Sequence, residues 1–453
     1  MKKLMCFLCA ITVILCNLFV VRYCDVENPS CAVTFTISAE NDAFFQCFYM
    51  AETGEWSTVD YKDYWFNAQE AQKTIKYTFP ASAMAFRIDT GSAEGVTTIS
   101  DLNVTCAKKT LPIQITRLQQ GSSDVAQIIY SEGSAVVNSI GADPYVMCLF
   151  NETEIAAIDN RINSLNQGFR IFLLVVMNAV FLLAFRKRAA IYSILKEIKN
   201  SLNIIWRLSL NDLKSRFSSS FLGVLWAFLQ PLMTILVFWF VFQVGLRNSD
   251  INDVPFILWY AIAFISWTFF SDTIINTTNC LREYGYLVRK IQFNVEIIPV
   301  VKVISGCMVH FLFILFAVFL CTVYKINITV HWIQVFYYLG CTVVLLLGFS
   351  WLLSAVSLFV GDVASCVSVI IQIGFWATPI VWNPETMSSK VQTIMKLNPM
   401  YYICSGYRDA FINQKWFWEC GWMNVYFWTI MLFVFIVGIL MFRKLKSQFA
   451  DVL

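Results

Sequence analysis

A chain of 453 residues that is 58% hydrophobic, 14% charged and +0.62 in mean hydropathy is far more apolar than a soluble domain, where about 25% of residues are charged. That excludes a soluble globular enzyme and points to a polytopic membrane protein. A net charge of +3 is too small to call for nucleic acid, two histidines leave no His-based metal cluster, and no G-x-x-x-x-G-K-[ST] loop is present to hold a nucleotide.

Met1-Lys2-Lys3 ahead of the apolar run Leu4 to Val21 reads as a transmembrane anchor over residues 1–24, with its lysines in the cytoplasm. A cleaved signal peptide is the alternative, although no small-x-small cleavage site follows the run. Residues 25–168 have the composition of a soluble domain. Val33-Phe35-Ile37, Ile75-Tyr77-Phe79, Met84-Phe86-Ile88 and Ile113-Ile115 alternate with other residues at period 2, which predicts short strands in an all-β sandwich or jelly roll. Lysines before one span and Arg186-Lys187-Arg188 after the next put this domain outside the membrane. Cys31, Cys47, Cys106 and Cys148 are then free to pair, in an order the spacing does not give.

One stretch of that domain, Trp56 to Phe66, is dense in aromatics and carboxylates. Trp56, Tyr61, Tyr64 and Trp65 suit stacking on sugar rings, with Asp side chains taking hydroxyls; the competing reading is that they fill the sandwich core. Ile155, Ile158, Ile162 and Leu165 then recur at helical spacing as a stalk leading into a second span, 169–190. Residues 191–223 predict a cytoplasmic amphipathic helix lying on the membrane, followed by a Ser/Gly loop. Six spans follow, at about 224–244, 255–277, 296–321, 332–358, 364–382 and 422–442, within a core of residues 224–453. Basic residues beside them give one orientation throughout, with the C-terminus in the cytoplasm.

From Trp206 the chain reads WRLSLNDLKSRFSSSFLGVLWAFLQP. It resembles the membrane subunit of ABC-2 type polysaccharide exporters, the O-antigen, teichoic-acid and capsule permeases, whose pattern here is W-R-D-L-K-x-R-Y-x-x-S-x-L-G-x-L-W-x-x-x-x-P. Trp206, Asp212, Leu213, Lys214, Arg216, Ser220, Leu222, Gly223, Leu225, Trp226 and Pro231 match; Asn211 replaces an arginine and Phe217 a tyrosine. Further on, Asn279, Leu287, Val288, Lys290, Phe293, Glu296 and Pro299 fit the family's N-x-x-L-I-x-K-x-x-F-P-x-E-x-x-P. Thr378-Pro379-Ile380, Leu397-Asn398-Pro399-Met400 and Tyr407-Arg408 fit its outer segment. Gly361 stands where the family's R-D-V corner has arginine. The likeness covers about 203–445.

The resemblance implies an α-helical polytopic membrane protein: a six-helix ABC-2 core plus two N-terminal spans, with the extracytoplasmic β domain added. It implies a coupling helix, 280–292, that docks into an ATPase through Arg282, Glu283, Tyr284, Arg289 and Lys290. Ser220, Gly223 and Trp226 would form the loop where substrate enters from the cytoplasm, and an outer gate built on two helices, 386–412, would use Pro379, Asn398, Pro399, Tyr407 and Arg408. Among the span aromatics, Trp239, Tyr260, Trp267, Phe270 and Trp376 are candidates to line a channel, interfacial belts being the other reading for some of them. Asp272 is a weaker candidate for an intramembrane ion site.

The expected function is the permease subunit of an exporter of lipid-linked polysaccharide in the bacterial cytoplasmic membrane. It would work as a homodimer with two copies of a separate ATPase that binds the ATP and Mg; this chain would hold no cofactor and carry out no catalysis of its own. The alternatives are an ABC-2 pump for a small lipid or drug, a membrane glycosyltransferase, for which no D-x-D site is present, and a receptor for wall material.

Overall fold

The computed structural model describes every residue except 1, 28, 58–60, 92–93, 217–220, 247–250, 252–253, 291–292, 388 and 453. It divides into two compact units, one made of residues 24–172 and one of residues 1–23 with 173–453.

The first unit is a β sandwich. Its strands are β1 (Ser30–Ala39), β2 (Ala43–Met50), β3 (Lys62–Phe66), β4 (Lys73–Pro80), β5 (Ala85–Asp89), β6 (Gly95–Cys106), β7 (Lys109–Pro112), β8 (Gln119–Gln120), β9 (Val125–Ser131), β10 (Ser134–Ser139) and β11 (Tyr145–Leu149). One sheet runs β4-β1-β6-β10-β9 with β7 beside β6, the other β3-β2-β5-β11-β8. Alternation sends Phe35, Phe45, Phe66 and Phe86 between the sheets, where all four are buried. Cys31 faces Cys106 in the β1–β6 register, and these two form a disulfide, while Cys47 and Cys148 are buried thiols. Two strand expectations are corrected. Pro112 offers no N–H and ends β7, so Ile113 and Ile115 are buried in a turn instead of a strand; Met84 lies just before β5 and points to solvent.

The second unit is helical: α1 (Lys2–Tyr23), the second half of α2 (Glu152–Arg186), α3 (Arg188–Asn200), α4 (Leu202–Arg216), α5 (Trp226–Trp239), α6 (Phe256–Thr278), α7 (Ile298–Val323), α8 (Gln334–Phe359), α9 (Val363–Ala377), α10 (Ser389–Lys396), α11 (Pro399–Arg408) and α12 (Trp422–Leu445). Among the described residues six helical segments are long and apolar enough to cross a bilayer, 152–186, 226–245, 256–278, 295–323, 330–359 and 422–448. The expected span at 364–382 is a helix of 15 residues, about 22 Å long. It stops at Thr378, which the following Pro379 forces into extended backbone.

Helix α6 is buried along nearly its whole length and forms the axis of the unit. Around it α8 and α12 meet backbone to backbone: a Cβ placed on Gly438 would fall 2.2 Å from the carbonyl oxygen of Gly348. By contrast α5 and α9 bury only Ile235 and Val367 respectively, leaving apolar side chains turned outward.

Candidate functional site

At the C-terminal end of α6 a buried ion cluster joins three segments. Lys302, on α7 and 3% exposed, sets its Nζ 2.7 Å from Asp212 Oδ1 of α4 and 2.5 Å from Glu283 Oε2. Asp212 also accepts from Arg216 at 2.8 Å and from the Tyr284 hydroxyl at 3.0 Å. Burial opposes the charge on Asp212, but Arg216 and Lys302 outweigh it and hold the carboxyl below its usual range. Nearby, Arg282 donates to the carbonyls of Ser357 and Leu358 at 2.7 and 3.3 Å, and Asn294 donates to Glu197 of α3 at 3.1 Å.

The expected single helix at 280–292 is instead two one-turn helices, Cys280–Glu283 and Gly285–Val288, with residues 291–292 outside the described residues. The break falls at Tyr284, whose hydroxyl is tied to Asp212. Three of the five candidate docking residues bond to the rest of the unit, Arg282 and Glu283 from exposed positions and Tyr284 from a half-buried one. Arg289 and Lys290 are exposed, as is Tyr286.

Above this cluster, between α5, α6 and α7, lies a cavity of about 560 Å³. Arg216, Gln230, Thr234, Asp272 and Asn276 give it a polar wall, and Phe264, Trp267 and Phe375 an aromatic one. This mix of hydrogen-bonding groups and ring faces suits a ligand with many hydroxyls. Also lining it is His310, buried, stacked on Phe269 at 4.5 Å and bonded through Nε2 to the Tyr407 hydroxyl at 2.8 Å.

Of the five aromatics expected along a channel, Trp267 lines this cavity. Tyr260 is fully buried among Phe238, Phe256 and Phe264, and Phe270 packs on Trp267 and Phe349; these two are core, because α6 is enclosed by its neighbours. Trp239 is partly buried against the core and Trp376 is exposed. The neighbouring Trp259 is buried, its ring 3.3 Å from the Arg408 guanidinium.

At the N-terminal end of α6 the outer segment is built around Arg408. This arginine, 4% exposed, has no carboxylate in ion-pair contact among the described residues; Nε donates to the Trp259 carbonyl at 3.1 Å, Nη1 to that of Pro379 at 2.7 Å and Nη2 to that of Ile380 at 3.0 Å. Asn398 caps α11 by accepting from Met400 N–H and donates to Thr378 Oγ1 at 2.7 Å, with Pro399 at the first helical position. Arg408 thus staples the 378–380 break to α6, and α11 is buried along most of its length.

The entry-side loop is partly visible. Ser220 lies outside the described residues; Gly223 takes φ +53°, a left-handed turn open to a glycine, and Trp226 starts α5 half exposed. In the β unit the four sugar-stacking candidates separate. Tyr61 and Trp65 are exposed at 46% and 56%, Trp56 is half buried and bridges Met50, and Tyr64 turns back so that its hydroxyl donates to the Lys76 carbonyl at 2.6 Å. Residues 58–60 of that stretch lie outside the described residues.

Sequence reasoning passed over Lys302 and used His310 only to argue against a metal site. The available signal was a basic residue inside an apolar span, which is costly unless something pairs with it.

Residues 204–412 match the ABC-2 type transporter family. An O-antigen export system permease protein RfbA of Klebsiella pneumoniae is 28% identical over 249 residues, 53% of this chain and 92% of the relative. A second from the same organism is 26% identical over 256 residues, covering 53% and 92%, and one from Myxococcus xanthus 24% over 224 residues, covering 49% and 85%. The β sandwich falls outside the family match.

Proposed function

We propose that this chain is the permease subunit of an exporter that carries a lipid-linked polysaccharide across the bacterial cytoplasmic membrane, driven by a separate ATPase. The observation that carries the reading is the likeness of the helical unit to O-antigen export permeases over nearly their whole length. The cavity of hydroxyls, amides and aromatic rings supports it chemically. Two protomers pair, with the outward apolar faces of α5 and α9 available for the contact, and two ATPase copies dock at the 280–290 segment. Closure of the ATPases pushes that segment, and Glu283 and Tyr284 pass the displacement to Lys302 on α7 and Asp212 on α4. The cavity walls shift with those helices, and the α10–α11 hairpin opens the far side. Residues 24–172 lie outside the cell membrane in this orientation.

Deleting the gene is the test: surface polysaccharide disappears and lipid-linked polymer accumulates inside the cell. A deletion strain with normal surface polysaccharide overturns the proposal. A second check is that the purified chain hydrolyses ATP only after the ATPase subunit is added.

A further inference from the structure

The outward face of the β3-β2-β5-β11-β8 sheet carries groups that the sandwich does not need. Register sets them side by side: Phe44 opposite Trp65, Gln46 between Asp63 and Asp89, Phe48 opposite Arg87, and Tyr145 opposite Asp89. A sheet face turned to water ordinarily shows polar side chains, yet this one exposes Trp65 at 56%, Tyr61 at 46% and Phe44 at 39%. Tyr61, Phe48 and Tyr145 are packed against neighbours. Tyr61 stacks on Phe48 at 5.5 Å and 24°, and the Arg87 guanidinium lies 5.2 Å from the Phe48 ring and 3.6 Å from that of Tyr145. Asp89 and Asp143 hold that guanidinium in turn, and Gln46 donates to Asp63 at 2.9 Å.

A pyranose ring offers an apolar C–H face and a rim of hydroxyls. Flat, packed rings flanked by carboxylates and an amide match both, and packing them beforehand lowers the entropy lost on binding. Charge narrows the class further. Among the described residues brought together here, the face sets three carboxylates, Asp63, Asp89 and Asp143, against the one guanidinium of Arg87, a net −2, with Lys62 at the end of the same edge strand, β3. It repels a polymer carrying uronates or phosphates and accepts an uncharged or amino-bearing one.

We infer that this face is a binding platform for a neutral or amino-sugar glycan. The inference rests on the exporter reading above and adds the chemical class of its polymer. It moves the contact from the Trp56–Phe66 loop to a surface that shares only Tyr61 and Trp65 with the residues singled out in the sequence. A few ring contacts give dissociation constants on the order of micromolar to millimolar, which lets a growing chain pass.

The test uses the full chain in lipid nanodiscs and four probes: polysaccharide purified from the same cells, a dextran hexamer, a chitosan hexamer and a polygalacturonate hexamer. The cells' own polymer is expected to bind, the polygalacturonate hexamer not at all. Trp65→Ala and Tyr61→Ala should each weaken binding tenfold or more, Ile129→Ala on the other sheet should leave it unchanged, and Asp63→Lys with Asp143→Lys should shift preference toward polygalacturonate. All variants are checked for the Cys31–Cys106 disulfide, and Trp65→Gln replaces any that misfolds. No binding of the cells' polymer, preference of the wild type for the acidic hexamer, or equal binding by the Trp65 and Tyr61 variants overturns the inference. So does a change of oligomeric state in those variants with glycan binding intact, which would make the face a contact between proteins. Gene deletion separates the two claims: polymer lost from the surface with no binding in nanodiscs sinks this inference alone, whereas polymer retained sinks the exporter reading.

Discussion

The β sandwich and the helical unit depart from the ordinary partition of side chains in opposite directions. In the sandwich, rings that a core would welcome stand outside, Trp65 above all, while the interior is closed by apolar residues and one disulfide. In the helical unit two cations, Lys302 and Arg408, are buried, and apolar side chains are left outward on α5 and α9. Exposed rings in the one and buried cations in the other each go against what burial of apolar surface alone would give. The two buried cations also differ from each other. Arg408 is satisfied by backbone carbonyls that move only if the chain is rebuilt, whereas Lys302 is held by two carboxylates on separate segments, either of which can let go while the other stays.

That contrast is easiest to break at Arg408. Arg408→Met leaves three carbonyls facing an apolar side chain, at about 1–3 kcal/mol each, and should abolish the monodisperse peak of the solubilised protein in size-exclusion chromatography. A wild-type profile would reduce the staple to an ordinary contact. Lys302→Met strands Asp212 without its closest cation, at about 3–5 kcal/mol, and should uncouple ATP hydrolysis from export in the assembled transporter even where the protein accumulates. Because the folded Asp212 carboxyl is depressed, its contribution is full at neutral pH and is lost as pH falls through that lowered value, below the ordinary aspartate figure of about 3.9. Melting curves of wild type and Lys302→Met should therefore converge only under strong acid.

Reducing the Cys31–Cys106 bond, which closes 75 residues of chain, should cost the sandwich about 2–4 kcal/mol, read as faster proteolysis between residues 24 and 172 while the helical unit stays resistant. Tyr407→Phe leaves the buried His310 Nε2 without its partner and should cost about 1–3 kcal/mol, measured by thermal unfolding in nanodiscs. Trp65→Ala should change stability by less than about 0.5 kcal/mol, since the ring is exposed. A large loss there would return the residue to the core and erase the contrast between the units.

Most of the long apolar helices, the sandwich and the helix start at Asn398-Pro399 were legible because hydropathy, period-2 alternation and Asn-Pro breaks are local signals. What was not legible depends on register or on distant partners. Which cysteines pair follows from Cys31 facing Cys106 across β1 and β6, a pairing of residues 75 apart that no spacing announces. Trp65 was visible as an aromatic, but not its neighbour Phe44 on the adjacent strand, nor Arg87 clamped between Phe48 and Tyr145. Tyr260 read as channel lining because a sequence shows that a helix is apolar and not that other helices surround it.

The glycine contact between α8 and α12 has a mechanical consequence. With Gly348 and Gly438 backbone to backbone, no layer of side chains lies between the two helices at that point to shear or change rotamer, and any larger residue at either position would force them apart. The pair behaves as a keel. Whatever displacement arrives from Lys302 must be taken up by helices free to swing around it, with α5 and α9 the least embedded, and two spectroscopic labels placed on α8 and α12 should report one fixed distance through the whole transport cycle.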